Sequence, residues 1–112
     1  MKTLFLGILS LLFCFSLHAQ NATDDFSGKW KVPEGKVVEI KKKGAQFEGT
    51  TLDRKKIILK EVTFKKGKWQ GTLIRPEDDV EFPCELTLKG GQLKVKAYKG
   101  ILSKTLTWTS EN

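Results

Sequence analysis

Reactive side chains are scarce in this sequence, which has one histidine and two cysteines among 112 residues. His18 and Cys14 both fall within the first twenty positions, so residues 21–112 hold no imidazole and a single thiol, Cys84. Over that stretch no Ser–His–Asp or Cys–His nucleophile can be assembled. No His-containing or multi-Cys metal site can be built there either, and no intramolecular disulfide. Neither metal nor cofactor is therefore expected, and no catalytic residue is assigned. Three prolines and ten glycines are too few for a low-complexity chain, and 39% hydrophobic residues are too many for a largely disordered one.

Long apolar runs are also missing, with one exception. Leu4 to Phe15 is apolar apart from Gly7 and Ser10, follows Met1-Lys2, and gives way to Ser16-Leu17-His18-Ala19-Gln20. A positive start, an apolar stretch and a small residue near its end form the plan of a secretory signal peptide. The run is too short to span ~30 Å of hydrocarbon as a helix. We therefore expect residues 1–20 to be a cleaved signal peptide, residues 21–112 to form one domain, and the mature protein to be periplasmic or secreted rather than membrane-spanning. Lys2 leaves with that segment, so 19 basic residues face 13 acidic ones in the remainder. With a single cysteine left, the domain must be held by its apolar core alone.

After Gln20 the hydrophobic period is two. Val80, Phe82, Cys84, Leu86 and Leu88 alternate with Glu81, Pro83, Glu85 and Thr87, and Leu93, Val95 and Ala97 alternate with Lys94 and Lys96. Such alternation predicts strands with one buried and one wet face. Four glycine-containing pairs mark hairpin turns: Lys43-Gly44, Lys66-Gly67, Gly90-Gly91 and Lys99-Gly100. Read as two-residue loops, they pair Ile40 with Phe47, Phe64 with Trp69, Val62 with Gly71, Leu86 with Val95, Cys84 with Ala97, and Val95 with Lys104. About eight strands follow, near 28–32, 36–42, 45–51, 56–65, 68–75, 80–89, 92–98 and 101–109. Sequential hairpins make an all-β, antiparallel up-and-down meander, and a sheet with one apolar face removes its edges by closing into a barrel. A five- or six-stranded barrel with some of these strands merged is the alternative closure.

Gly28-Lys29-Trp30, Trp69-Gln70-Gly71, Pro76, Cys84, Leu86, Tyr98, Gly100 and the run from Ser103 to Trp108 together resemble an exported bacterial family, domain of unknown function 2147. The resemblance implies a small lipocalin-like barrel and implies no particular activity. The opening Gly-x-Trp is similar to that of lipocalins, where the Trp closes the barrel base beneath a cation. This chain has Lys104 where the family usually has Arg, and the short stretch from Leu52 to Lys56 replaces a longer family segment.

The candidate ligand-binding residues are those that alternation and pairing turn inward: Trp30, Phe47, Trp69, Phe82, Cys84, Lys104 and Trp108. They describe either an apolar chamber for a small hydrophobic or amphiphilic ligand or a filled core, because eight-stranded barrels span both conditions. Lys104, placed opposite Val95, is either a cation for an anionic head group or a lysine laid over an indole and reaching water. Cys84 reads as a small buried hydrophobe. Glu77-Asp78-Asp79 after Pro76 lacks the spacing of a calcium loop and reads as a solvated turn. Lys41-Lys42-Lys43 and Lys65-Lys66 with Lys68 sit at hairpin tips at one barrel end. There they would meet an anionic envelope surface or simply keep the tips soluble. An exported address argues against nucleic acid. Two functions follow: a non-catalytic binding module for a small apolar or amphiphilic molecule, or an envelope interaction protein whose packed barrel presents basic tips. Composition carries no statement about oligomeric state.

Overall fold

Eight strands occupy the alternating segments in a computed structural model, which describes residues 21–111. The expected signal peptide, with Cys14 and His18, lies outside the described residues. The strands are β1 (Gly28–Lys31), β2 (Val37–Lys43), β3 (Gln46–Thr51), β4 (Ile57–Lys65), β5 (Lys68–Ile74), β6 (Glu81–Lys89), β7 (Gln92–Lys99) and β8 (Leu102–Ser110). Each pairs antiparallel with its sequence neighbours, and β8 returns to β1, so the sheet closes into a barrel. The predicted all-β meander is the observed fold, with all eight strands separate.

Turn chemistry explains where the register agrees and where it differs. Gly90 and Gly91 have φ of 58° and 80°, the two successive positive values of a type I′ loop. Leu88 accordingly faces Leu93, Leu86 faces Val95, and Cys84 faces Ala97, as predicted. Lys66 and Gly67 do the same with φ of 53° and 79°, pairing Phe64 with Trp69.

The other two hairpins are corrected by two residues. Their loops are Gly44-Ala45 and Gly100-Ile101, and only the glycine of each has positive φ, 66° and 63°. That is the type II′ pattern, with glycine at the first loop position rather than the second. Ile40 therefore faces Gly49 rather than Phe47, and Lys104 faces Ala97 rather than Val95. A two-residue shift leaves every side chain on its predicted face, because the pleat repeats every two residues.

A bulge accounts for the remaining difference. Between Lys60↔Thr72 and Thr63↔Gln70 the β4–β5 register jumps, and Glu61 adopts φ of 55° there. Glu61 and Val62 together oppose Gly71, so Val62 keeps its predicted neighbour inside a bulge rather than as a regular ladder pair. A Cβ on Gly71 would lie 2.7 Å from Val62 Cγ2, so glycine is what lets β4 bend across β5.

The meander sorts the loops to two ends. The β2–β3, β4–β5 and β6–β7 hairpins lie at one end with the start of β1. Lys41, Lys42, Lys43, Lys65, Lys66, Lys68 and Lys89 gather there, and we call it the basic end. The β1–β2, β3–β4, β5–β6 and β7–β8 connections lie at the far end. Between them the inward side chains form one buried apolar cluster from Trp30 and Val38 through Leu59, Leu86 and Val95 to Trp108.

Candidate functional site

The lumen is built by inward residues of every strand, and its occupant at the basic end comes from outside the strands. Phe26, in the segment before β1, is fully buried. Its ring meets Phe47 and Trp69 edge-on, with centroids 5.2 Å away in each case. Phe47 and Trp69 are themselves 5.4 Å apart, and Phe64 is 5.3 Å from Trp69. Edge-to-face contacts of this kind suit the positive rim and negative face of aromatic rings. The indoles also tie the segment down. Trp30 Nε1 donates to Phe26 O at 2.9 Å, and Trp69 Nε1 donates to Asn21 O at 3.0 Å. Residues 21–27 thus close the basic end as a stopper.

Five of the seven candidate residues come together in this interior: Trp30, Phe47, Trp69, Cys84 and Trp108 are all buried. Trp108 faces Leu93, and its indole N–H has no hydrogen-bond partner among the described residues. Phe82 is half-buried toward the far end, with the Arg75 guanidinium 5.2 Å over its ring. Lys104 is not in the lumen. It keeps the inward face, but opposite Ala97 near the far end it is exposed to water. The corrected register moved it one pair closer to the loop, where the strands project past the core, so no ammonium has to be desolvated. The cation that does approach the lumen is Lys42, whose Nζ lies 6.0 Å from the Phe47 ring centroid. It faces Phe47 across the ladder.

Phe26 escaped the sequence reading because it lies between Asp25 and Ser27, outside any alternating run. A large apolar residue preceding the first strand of a closing meander was the available signal. In sequence Lys42 is one of three tip lysines, and only the type II′ loop sets it opposite Phe47.

The titratable groups have structural occupations. Burial pushes the Cys84 thiol up to about 12, with backbone hydrogen bonding at Gly71 opposing the shift; such a thiol is a poor nucleophile near neutral pH. In the acidic turn Arg75 grips Asp78 with two hydrogen bonds of 2.9 Å, which hold the Asp78 carboxyl below its usual range. Asp79 pairs with Lys56 at 2.8 Å, and Glu81 with Lys60 at 3.1 Å. Among the described residues no group of three or more His, Cys, Asp or Glu is placed to hold a metal ion. At the basic end Lys43 pairs with Glu48 at 3.0 Å, and Lys68 reaches Glu85 at 3.6 Å. Asp25 is held below its usual pKa mainly by hydrogen bonds from Ser27, with the charge of Lys42 adding to the effect. Two depressions mark the outer wall. One of about 440 Å³ lies along β4–β5 beside Glu61 and Thr63. The other, about 390 Å³, lies beside Lys41, Glu48 and Lys55.

No family model, curated protein or solved structure matches this chain.

Proposed function

We propose that this chain is an exported, non-enzymatic interaction module of lipocalin-like architecture that works through the outside of its barrel, with the basic end resting on an anionic envelope surface. The observation that carries this reading is a filled lumen beneath a cationic end. Phe26 completes the packing among Phe47, Trp69 and the core, while seven lysines gather at this end against Asp24, Asp25, Glu48, Glu85 and Glu111, with Lys43 and Lys68 in ion pairs. Lysines on several hairpin tips make one positive field, which draws polyanions at a distance and is screened by salt. The absence of histidine from 21–112 and the buried, raised Cys84 thiol support a non-enzymatic role. The signal peptide expected in 1–20, and the resemblance of the rest of the chain to domain of unknown function 2147, most specific in its last 40 residues, support an envelope location.

The test is sedimentation of the protein with vesicles containing phosphatidylglycerol, and separately with anionic cell-wall polysaccharide, from 20 to 500 mM salt. Binding should fall steeply with salt and be lost on reversing Lys41, Lys42 and Lys43 to Glu. Salt-independent binding, or binding unchanged by the reversal, overturns the reading.

A second reading rests on the stopper. Phe26 belongs to a non-strand segment, and Lys42 stands beside Phe47 at the rim. An amphiphile whose apolar body replaces the Phe26 ring and whose carboxylate meets Lys42 has a place to bind. Titration with fatty acids, read by tryptophan emission, tests this; an unchanged spectrum up to millimolar ligand removes it.

A further inference from the structure

The barrel closes on a short seam, and β8 outruns it. β1 meets β8 only at Trp30↔Ser110 and Lys31↔Thr109, with Glu111 N donating to Lys29 O at 2.9 Å just beyond. β1 ends at Lys31, and the chain passes into the turn that leads to β2. From Thr107 back to Leu102, β8 has no strand on this flank among the described residues.

Backbone parity says which groups that leaves free. Lys99 and Leu102 flank a two-residue loop, so their backbone groups point at each other. Antiparallel alternation then aims the even residues of β8 at β7 and the odd ones away from it. The Glu111–Lys29 bond has the parity this requires. Ser103, Thr105 and Thr107 therefore turn their N–H and C=O groups to the open edge.

Natural edges are blunted by proline, a bulge, brevity or charged side chains, lysine above all, and of these devices the open stretch of β8 carries only the inward-face Lys104. β8 has no proline, and its ladder with β7 runs without a bulge from Gln92↔Thr109 to Lys99↔Leu102. Beside this edge stand the two most exposed large apolar side chains of the described residues, Ile101 at 100% and Leu102 at 67%. The hairpin is also purely cationic. Between Leu86 and Ser110 there are Lys89, Lys94, Lys96, Lys99 and Lys104 and no acidic residue. Lys94 holds Thr107 Oγ1 at 3.0 Å and Lys96 lies over the Tyr98 ring, and neither they nor Lys99 and Lys104 form an ion pair among the described residues.

We propose that β8 is a strand-addition site for an extended segment of a partner protein in which apolar and acidic residues alternate. The segment pairs with Ser103, Thr105 and Thr107 as a ninth strand. Its apolar residues lie beside Leu102 and Leu106, and its carboxylates face outward over the small Ser and Thr side chains toward Lys94 and Lys96. Main-chain bonds supply affinity and the alternate side chains supply selectivity. A second copy of this chain is the poorer occupant, because two lysine-bearing hairpins without acidic residues would lie side by side. The site is distinct from the basic end and stands or falls separately from it.

Amide exchange in the ¹⁵N-labelled protein tests the assignment, with an acetylated octapeptide of alternating Val and Glu as probe and its Val–Lys counterpart as control. The Ser103, Thr105 and Thr107 amides should exchange freely alone and slow by about tenfold or more with the Val–Glu peptide only. Thr105→Pro removes an edge donor that β7 does not use, so it should abolish the protection while leaving Trp emission and the rest of the spectrum unchanged. Unchanged exchange with the Val–Glu peptide, or equal protection by both peptides, overturns the proposal. So does protection that appears without peptide and grows with protein concentration, since a second copy then fills the edge.

Discussion

The Phe26 ring stands edge-on to the Trp69 indole, centroids 5.2 Å apart and planes at 86°. Through this contact a residue outside the sheet finishes the core of the sheet. Truncating it to Phe26→Ala deletes a fully buried ring, and such deletions cost about 3–5 kcal/mol. The expected outcome is an unfolding free energy in urea lower by that amount and tryptophan emission moved to longer wavelength as water enters. Phe26→Leu should retain most of the stability. Equal midpoints for all three proteins would mean that residues 21–27 do not seal the barrel.

Gly71 and Val62 form a second dependent pair. An alanine Cβ at Gly71 would sit 2.7 Å from Val62 Cγ2 and 3.1 Å from Lys60 O. The first contact is with a buried side chain and the second with backbone, so neither yields freely. Gly71→Ala should destabilise by about 1–3 kcal/mol, as overpacking does. Val62→Ala also destabilises alone, but the double variant should lose less than the sum of the two single losses, a coupling seen in a double-mutant cycle of unfolding free energies.

Cys84 gives a pH dependence whose sign is fixed. Its thiol rises from 9.0 to about 12 on folding because burial disfavours the thiolate. Below pH 9 both states hold the proton and no stability depends on it. Between pH 9 and 12 the unfolded chain loses the proton first, so stability falls, by at most ~1.4 kcal/mol per pH unit for one proton. Relative to the wild type, Cys84→Ala should flatten the fall in urea midpoint across that window. Near neutral pH a disulfide reagent should label the wild-type thiol slowly until denaturant is added.

The turn after β5 titrates at the acid side. The guanidinium of Arg75, through its paired hydrogen bonds, lowers the Asp78 carboxyl from its ordinary value of 3.8. A depressed carboxyl contributes stability that is present above 3.8 and is lost as pH falls through the folded value. Carboxyl NMR should find Asp78 titrating below 3.8, and Arg75→Ala should return it toward that value while the barrel stays folded.

The resemblance between sequence and fold differs by kind of residue. Leu86, Val95 and Cys84 were legible because a two-residue period and a double-glycine turn give face and register together. Lys104 was legible only in its face. Distinguishing Lys99-Gly100 from Gly100-Ile101 as the loop requires knowing which loop position the glycine occupies, and lysine and isoleucine on either side do not say. The position of a lysine relative to water depends on that choice, whereas the face of a core residue does not.

By itself the sequence determined the number of strands, their order, which side chains face inward, and the want of imidazole and of a second thiol in residues 21–112. Those follow from local patterns: the alternation of the pleat, the positive φ that glycine accepts, and composition. Tertiary structure alone decided that Phe26 fills the basic end, that Lys104 stands in water while Lys42 leans on Phe47, and that β8 runs past its partner. Each of these depends on how far strands are staggered around a closed sheet, a property of the whole ring that no single hairpin encodes.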